Sequence, residues 1–212
     1  MKIKIFCLGI FLTLSLPVFA SNAVQNGLCP KPLKIGWREN PPFKIEDPNH
    51  DSNNVMGIDI ELLRLMANDV GCEVKFINAP WARQLEGLKT GDIDVVSSAS
   101  KTPERAQYAY FLSPYIRDTN ALFMTVENVK KYQGKINKFD DIMALPGFIL
   151  GVTKGNYYGK EFATAMQNPK FKNMVKEIKS DDDAVIKGSL GEVTGFLGDV
   201  VVTFEIAKKL NI

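Results

Sequence analysis

Histidine is almost missing from this chain of 212 residues: His50 is the single one, and only three cysteines occur. A standard metal centre needs three or four His, Cys or carboxylate ligands at recognisable spacings. His50 has Asp47 and Asp51 as neighbours. The loop from Asp47 to Asn54 fits no such pattern, so we read it as solvated and expect no metal. Nor can a Ser-His-Asp set be built around a histidine that sits in a loop away from the strand ends. Long charged tracts and low-complexity stretches are absent as well. No residue cluster calls for a cofactor, and none is expected.

The one concentrated apolar run is at the start. Lys2 and Lys4 precede Ile5 to Leu16, and Pro17-Val18-Phe19-Ala20 ends in a small-residue cleavage pattern before Ser21. A core this short does not anchor a protein across a bilayer, so residues 1–20 read as a secretory signal peptide cut after Ala20. Its removal leaves 24 basic residues against 24 acidic ones. That balance offers neither nucleic acid nor an anionic membrane an electrostatic partner. Cys29 and Cys72 are the two cysteines that remain. In an exported chain they suggest one disulfide, with two free thiols as the alternative. Each lies just before a strand-like run, and parallel neighbouring strands bring their starts together.

Hydrophobic residues make up 45% of the chain, enough for a sizeable core. Leu33 to Trp37 reads as a strand. Asp59 to Val70 reads as a helix, with Ile60, Leu63, Met66, Ala67 and Val70 on one face and Gly71 as its stop. A strand over Cys72 to Asn78, a helix from Pro80 to Gly91 and a strand over Ile93 to Ser97 follow. Phe111 to Tyr115 and Asn120 to Val126 read as extended, and 127–146 as polar with one short helix near Asp140 to Ala144. A second alternating set then runs through Phe148 to Thr153, Tyr158 to Met166, Met174 to Ile178, a helix capped by Ser180, Val193 to Leu197 and Val200 to Leu210. Strands alternating with helices imply parallel sheets with right-handed crossovers, and ligands beyond the carboxyl ends of the strands. Two such sets suggest two lobes about a cleft.

Ser97 to Arg105 occupies one such strand end. Thr102 is a good N-cap and Pro103 suits a first helical position, so a short helix should open there and favour an anion at its mouth. Ser100 adds a hydroxyl, and Arg105 a planar fork that matches a carboxylate. An ordinary capped turn with a solvated arginine is the competing reading.

Gly57-Ile58-Asp59-Ile60-Glu61-Leu62 with Met66-Ala67 and Val70 forms one motif. Gly91-Asp92-Ile93-Asp94, Thr102-Pro103-Glu104-Arg105 and Phe111-Leu112-Ser113-Pro114-Tyr115 follow in order, then Gly151-Val152-Thr153-Lys154-Gly155 and Gly198-Asp199. Together they resemble the extracytoplasmic solute-binding proteins of the polar amino-acid class, receptors of ABC importers, over about residues 33–210. The resemblance implies a two-lobed, type II periplasmic-binding-protein fold, each lobe a mostly parallel sheet flanked by helices. Lobe 1 would span 21–118 and lobe 2 119–212, with a hinge near 117–121. It implies a monomeric periplasmic receptor that binds an amino-acid-like solute and delivers it to a membrane permease. Ser98 and Ser100 match positions that hold the ligand carboxylate, Arg105 the arginine that pairs with it, and Asp199 the acid that takes the ammonium group. Trp81 and Phe43 fall near side-chain-packing positions, though core packing suits Phe43 better. Asn40-Pro41, Asn156 and Gly191 to Gly195 depart from the family pattern, which bears on ligand identity. Family members return to lobe 1 through a second crossing; the chain stops at Ile212, so that return is expected to be missing.

Two other readings compete. Ser98-Ala99-Ser100-Lys101 has the Ser-x-x-Lys spacing of penicillin-recognising enzymes, but Lys89-Thr90-Gly91 precedes it, in the wrong order. Some relatives are periplasmic cyclic-acid dehydratases or ligand-sensing modules. A dehydratase needs an acid–base pair near the clamp, and Glu39 and Asp199 are the candidates. No catalytic residue is assigned.

Overall fold

The computed structural model describes residues 28–47 and 55–212. The signal-peptide reading and His50 lie outside them. Strand β1 (Leu33–Trp37), helix α1 (Ile58–Asp69), β2 (Val74–Asn78), α2 (Trp81–Thr90) and β3 (Val95–Val96) build the first lobe. Its sheet has the order β2-β1-β3, all parallel, with Leu33 opposite Val74 and Ile35 opposite Val95. The apolar face of α1 supplies Ile60 to a core with Ile35, Trp37, Val55 and Phe76. Burying a side chain of this size contributes about 1.5–3 kcal/mol.

The start of α1 depends on Gly57, whose φ of 114° and ψ of 166° suit glycine almost alone. A Cβ there would stand 2.5 Å from the Phe43 carbonyl oxygen. That contact matters because Asp59 N–H donates to the same carbonyl at 3.0 Å, fastening the 40–45 turn onto the helix. Cys29 and Cys72 are joined, as expected, with Cα atoms 5.3 Å apart.

The second lobe contains β4 (Asn120–Phe123), α3 (Val126–Tyr132), α4 (Phe139–Ile142), β5 (Leu150–Thr153), α5 (Gly159–Ala165), α6 (Pro169–Lys172), β6 (Val175–Ile178), α7 (Asp181–Ser189), β7 (Gly195–Asp199) and α8 (Val200–Leu210). Its sheet order is β4-β7-β5-β6. One core cluster includes Phe148, Leu150, Phe171 and Ile142; another includes Ile178, Val185, Phe196 and Ile206.

Within this mostly parallel sheet β4 pairs antiparallel to β7, Asn120 opposite Asp199, because it arrives from the first lobe instead of through a helical crossover. Three local expectations change. Residues 126–132, expected to be polar and irregular, form α3, started by the Thr125 side chain, which accepts from Asn128 N–H. Phe111 to Tyr115 joins no strand. The helix expected from Thr102 is a 3₁₀ turn over Arg105–Gln107. Thr102 Oγ1 does accept from Arg105 N–H at 3.2 Å, but three residues sum to almost no dipole.

Candidate functional site

The carboxyl ends of β1 and β3 face those of β5 and β7 across the space between the lobes. Arg105 lies there with 7% of its surface exposed. Its Nη1 donates to the Ser100 carbonyl and its Nη2 to the Gly155 carbonyl, each at 2.8 Å. Trp81, first residue of α2, donates its Nε1–H to the same Gly155 oxygen at 3.0 Å, and its ring lies 5.6 Å from the Arg105 Cζ. Gly155 has φ +84°, and a Cβ would approach Trp81 Cδ1 to 3.2 Å, so the close passage of the lobes requires glycine. Two of the five guanidinium donors are thus taken by carbonyls. Arg105 enters no ion pair among the described residues. Burial pushes its pKa below the ordinary value, opposed by Tyr108 and Glu104.

The Ser100 hydroxyl takes no partner among the described residues, while its carbonyl steers the guanidinium. Ser98 is already engaged. Its Oγ–H donates to Asp59 Oδ2 at 2.5 Å and its N–H to the Tyr115 hydroxyl at 3.1 Å. Its φ of 57° is left-handed, a conformation a serine keeps only where its surroundings hold it. Asp59 itself is 0% exposed. It also takes Tyr115 O–H at 3.0 Å on Oδ1 and pairs with Lys44 Nζ at 3.5 Å. Burial lowers the Lys44 pKa, and Asp59 offsets part of that.

On the facing wall, Asp199 ends β7 and caps α8: its Oδ1 accepts from Val202 N–H at 2.9 Å. Oδ2 lies 3.4 Å from Thr119 N. Asp181, at the start of α7, accepts from Thr153 Oγ1–H at 2.6 Å and Asn156 Nδ2–H at 3.4 Å. Part of its surface stays open, yet protein closes around the carboxyl and burial raises its pKa. The Thr153 hydrogen bond opposes that rise and nearby Asp199 adds to it. Thr153 N–H donates to the Tyr158 hydroxyl, whose pKa burial, with Asp181, pushes up to about 12. Phe43 packs against the Ile178–Phe196–Ile206 cluster of the opposite lobe. Glu39 Oε1 accepts from Lys209 Nζ at 2.9 Å, and its Oε2 from Glu46 N–H at 2.6 Å.

Arg105 and Trp81 meet at the Gly155 carbonyl of the second lobe, with Ser100 bonded to Arg105 and Ser98 in the same loop, while Asp199 ends β7 and Phe43 packs against the second-lobe core. Sequence reasoning passed over Asp59, Lys44, Tyr115, Gly155 and Asp181. Asp59 and Tyr115 lay inside recognised motifs, but as helix start and strand end. Asp181 also stands in the first turn of α7, where the helix dipole favours a carboxylate. Two open grooves, of about 480 and 630 Å³, lie elsewhere on the second lobe, beside Tyr132 and Met174, and none of these residues lines them. Among the described residues no trio of metal-ligating side chains occurs.

Residues 33–187 match the model of the bacterial extracellular solute-binding proteins, family 3. The ABC transporter arginine-binding protein 1 of Escherichia coli (strain K12) is 25% identical over 169 residues, 79% of this chain and 63% of that one. The chain thus spans less than two thirds of that relative's length. An ancestral arginine-binding protein bound to arginine superposes with a TM-score of 0.65 at 25% identity, covering 84% of this chain and 74% of the other. The ancestral amino acid-binding protein AncCDT-1, a precursor of cyclohexadienyl dehydratase, superposes with a TM-score of 0.64 at 24% identity, covering 83% and 74%. With the family model covering most of its length, this chain belongs to the family 3 bacterial extracellular solute-binding proteins.

Proposed function

We propose that the protein is a periplasmic receptor, released from its signal peptide after Ala20, that captures a small amino acid or analogue and delivers it to the membrane permease of an ABC importer. It acts as a monomer, with lobe 1 over 21–118, lobe 2 over 119–212 and a hinge near 117–121. Arg105 takes the carboxylate with help from Ser100, Asp199 takes the ammonium group, and Trp81 borders the side chain. Ser98 contributes by shaping the loop. A cation and an anion on opposite walls suit a zwitterion, which closes the cleft as it binds.

The observation that carries this reading is the buried guanidinium of Arg105, which has no carboxylate partner among the described residues. A buried charge without a counter-charge is costly, and an anionic solute supplies one. The arginine named in the relatives puts cationic amino acids among the first probes. Dehydratase chemistry has less support: Glu39 is engaged by Lys209 and the Glu46 N–H, and Asp199 caps α8.

Calorimetric titration with the common amino acids tests the proposal, with one or a few expected to bind. Arg105→Ala should then weaken binding about a hundredfold or more, since removing one partner of a desolvated charge pair costs about 2–5 kcal/mol. A loss under about threefold removes Arg105 from the site, and turnover of a cyclic acid without retention replaces the receptor with an enzyme.

A further inference from the structure

Asp59, Ser98 and Tyr115 form a closed ring of hydrogen bonds. Tyr115 O–H donates to Asp59 Oδ1 at 3.0 Å, and its oxygen accepts from Ser98 N–H at 3.1 Å. Ser98 Oγ–H returns to Asp59 Oδ2 at 2.5 Å. Lys44 supplies the balancing cation at 3.5 Å. Each donor has an acceptor, and the shared carboxylate is fully buried. A satisfied buried network of this kind is rigid, because every displacement strands a polar group. It also holds Ser98 in its left-handed conformation.

The members of the ring come from different places. Asp59 begins α1, and Ser98 opens the loop whose Ser100 carbonyl aims Arg105. Tyr115 belongs to the extended segment that leaves the first lobe. Four residues later Thr119 reaches the second lobe, where its carbonyl accepts from Val200 N–H at 3.0 Å. Asn120 then pairs with Asp199 in the β4–β7 register. A short stretch of chain therefore links the loop that aims the arginine to the strand end that carries the opposing acid.

Resting on the receptor reading, we propose that Tyr115 couples the interlobe hinge to the anion seat, acting as a positioning residue through the buried Asp59 carboxylate. Movement of the crossing segment displaces the Tyr115 hydroxyl, which frees the Ser98 amide and lets the 98–105 loop relax. Closure restores the ring and sets Arg105. The tyrosine ring is half exposed, so the hydroxyl carries this role and the aromatic body adds little.

Residue-resolved amide hydrogen exchange on the ligand-free full chain tests the link. In Tyr115→Phe the amide at position 98 should exchange about tenfold faster, and the Val200 amide should also speed up, while the strands β1 and β2 keep their protection. Ser98→Ala makes the sharper demand. Ser98 does not touch Val200, yet Val200 exchange should rise about threefold or more. Val200 unmoved in both variants overturns the coupling. So does an equal acceleration throughout the first lobe, which marks global loosening. Titration of Arg105→Ala with L-arginine judges the receptor reading separately. If that variant binds as well as the parent chain, the anion seat is lost but the hinge link stands. If Val200 stays still, the link is lost but the seat stands.

Discussion

At the scale of single residues, the cleft is governed by which charges lose water. Arg105 and Lys44 are buried cations and Asp59 a buried anion; Lys44 and Asp59 neutralise each other, while Arg105 has no ion pair among the described residues. Asp181 shows the opposite effect. Burial raises its pKa above the value near 3.8 it has when unfolded. A carboxyl raised in this way binds its proton more tightly in the folded state, so the folded protein holds more protons in the window between the two values. Its stabilising contribution is complete below about pH 3.8 and is lost as pH rises through the folded value. Asp181→Asn keeps the acceptor for Thr153 and removes the titration. It should therefore raise the melting temperature at neutral pH and flatten its decline from mildly acidic to neutral pH, read by calorimetric scans of both proteins. Residue types told which groups carry charge. They did not tell that Ser98, in sequence a plain candidate for the ligand, is spent on Asp59 39 positions away.

At the scale of elements, the regular pieces were largely legible because each obeys local rules. α1 and α2 follow apolar periodicity, and α7 begins at Ser180, whose Oγ accepts from Asp183 N–H at 3.3 Å. What escaped were segments whose state depends on neighbours. α3 has weak periodicity and is secured by Asn128 Nδ2–H, which donates to the Thr194 carbonyl 66 residues on. The Thr102–Pro103 turn carries sound helix-start signals, but the chain runs extended after Tyr108 and no helix follows. Gly57 is the element-scale joint on which the clamp side depends. Gly57→Ala forces a side chain into a glycine-only backbone conformation and against the Phe43 carbonyl. It should cost about 1–3 kcal/mol or more, seen as a lowered urea midpoint.

At the scale of the whole molecule, two lobes with mostly parallel sheets meet through few direct ties. Among the described residues, Gly155 with Arg105 and Trp81, Glu39 with Lys209, and Phe43 against the second core are ties that cross. The Cys29–Cys72 bridge acts within the first lobe, closing a separation of 43 residues and tying the segment before β1 to the one that follows α1. Loop-closure entropy assigns such a bridge about 4 kcal/mol, so a reductant should lower the urea midpoint clearly, with first-lobe amides losing protection before second-lobe ones. By itself the sequence determined the class of fold, the order of most of its elements and one disulfide as the favoured state of its two remaining cysteines. Periodicity, capping and cysteine number are local, and they survive being read along a line. Only the tertiary structure decided what each of those residues does: that Gly155 receives both Arg105 and Trp81, that Phe43 belongs to the opposite core, and that Asp59 organises three loops. Those assignments rest on which distant groups share a buried space, and desolvation, unlike periodicity, has no signature in the order of residues.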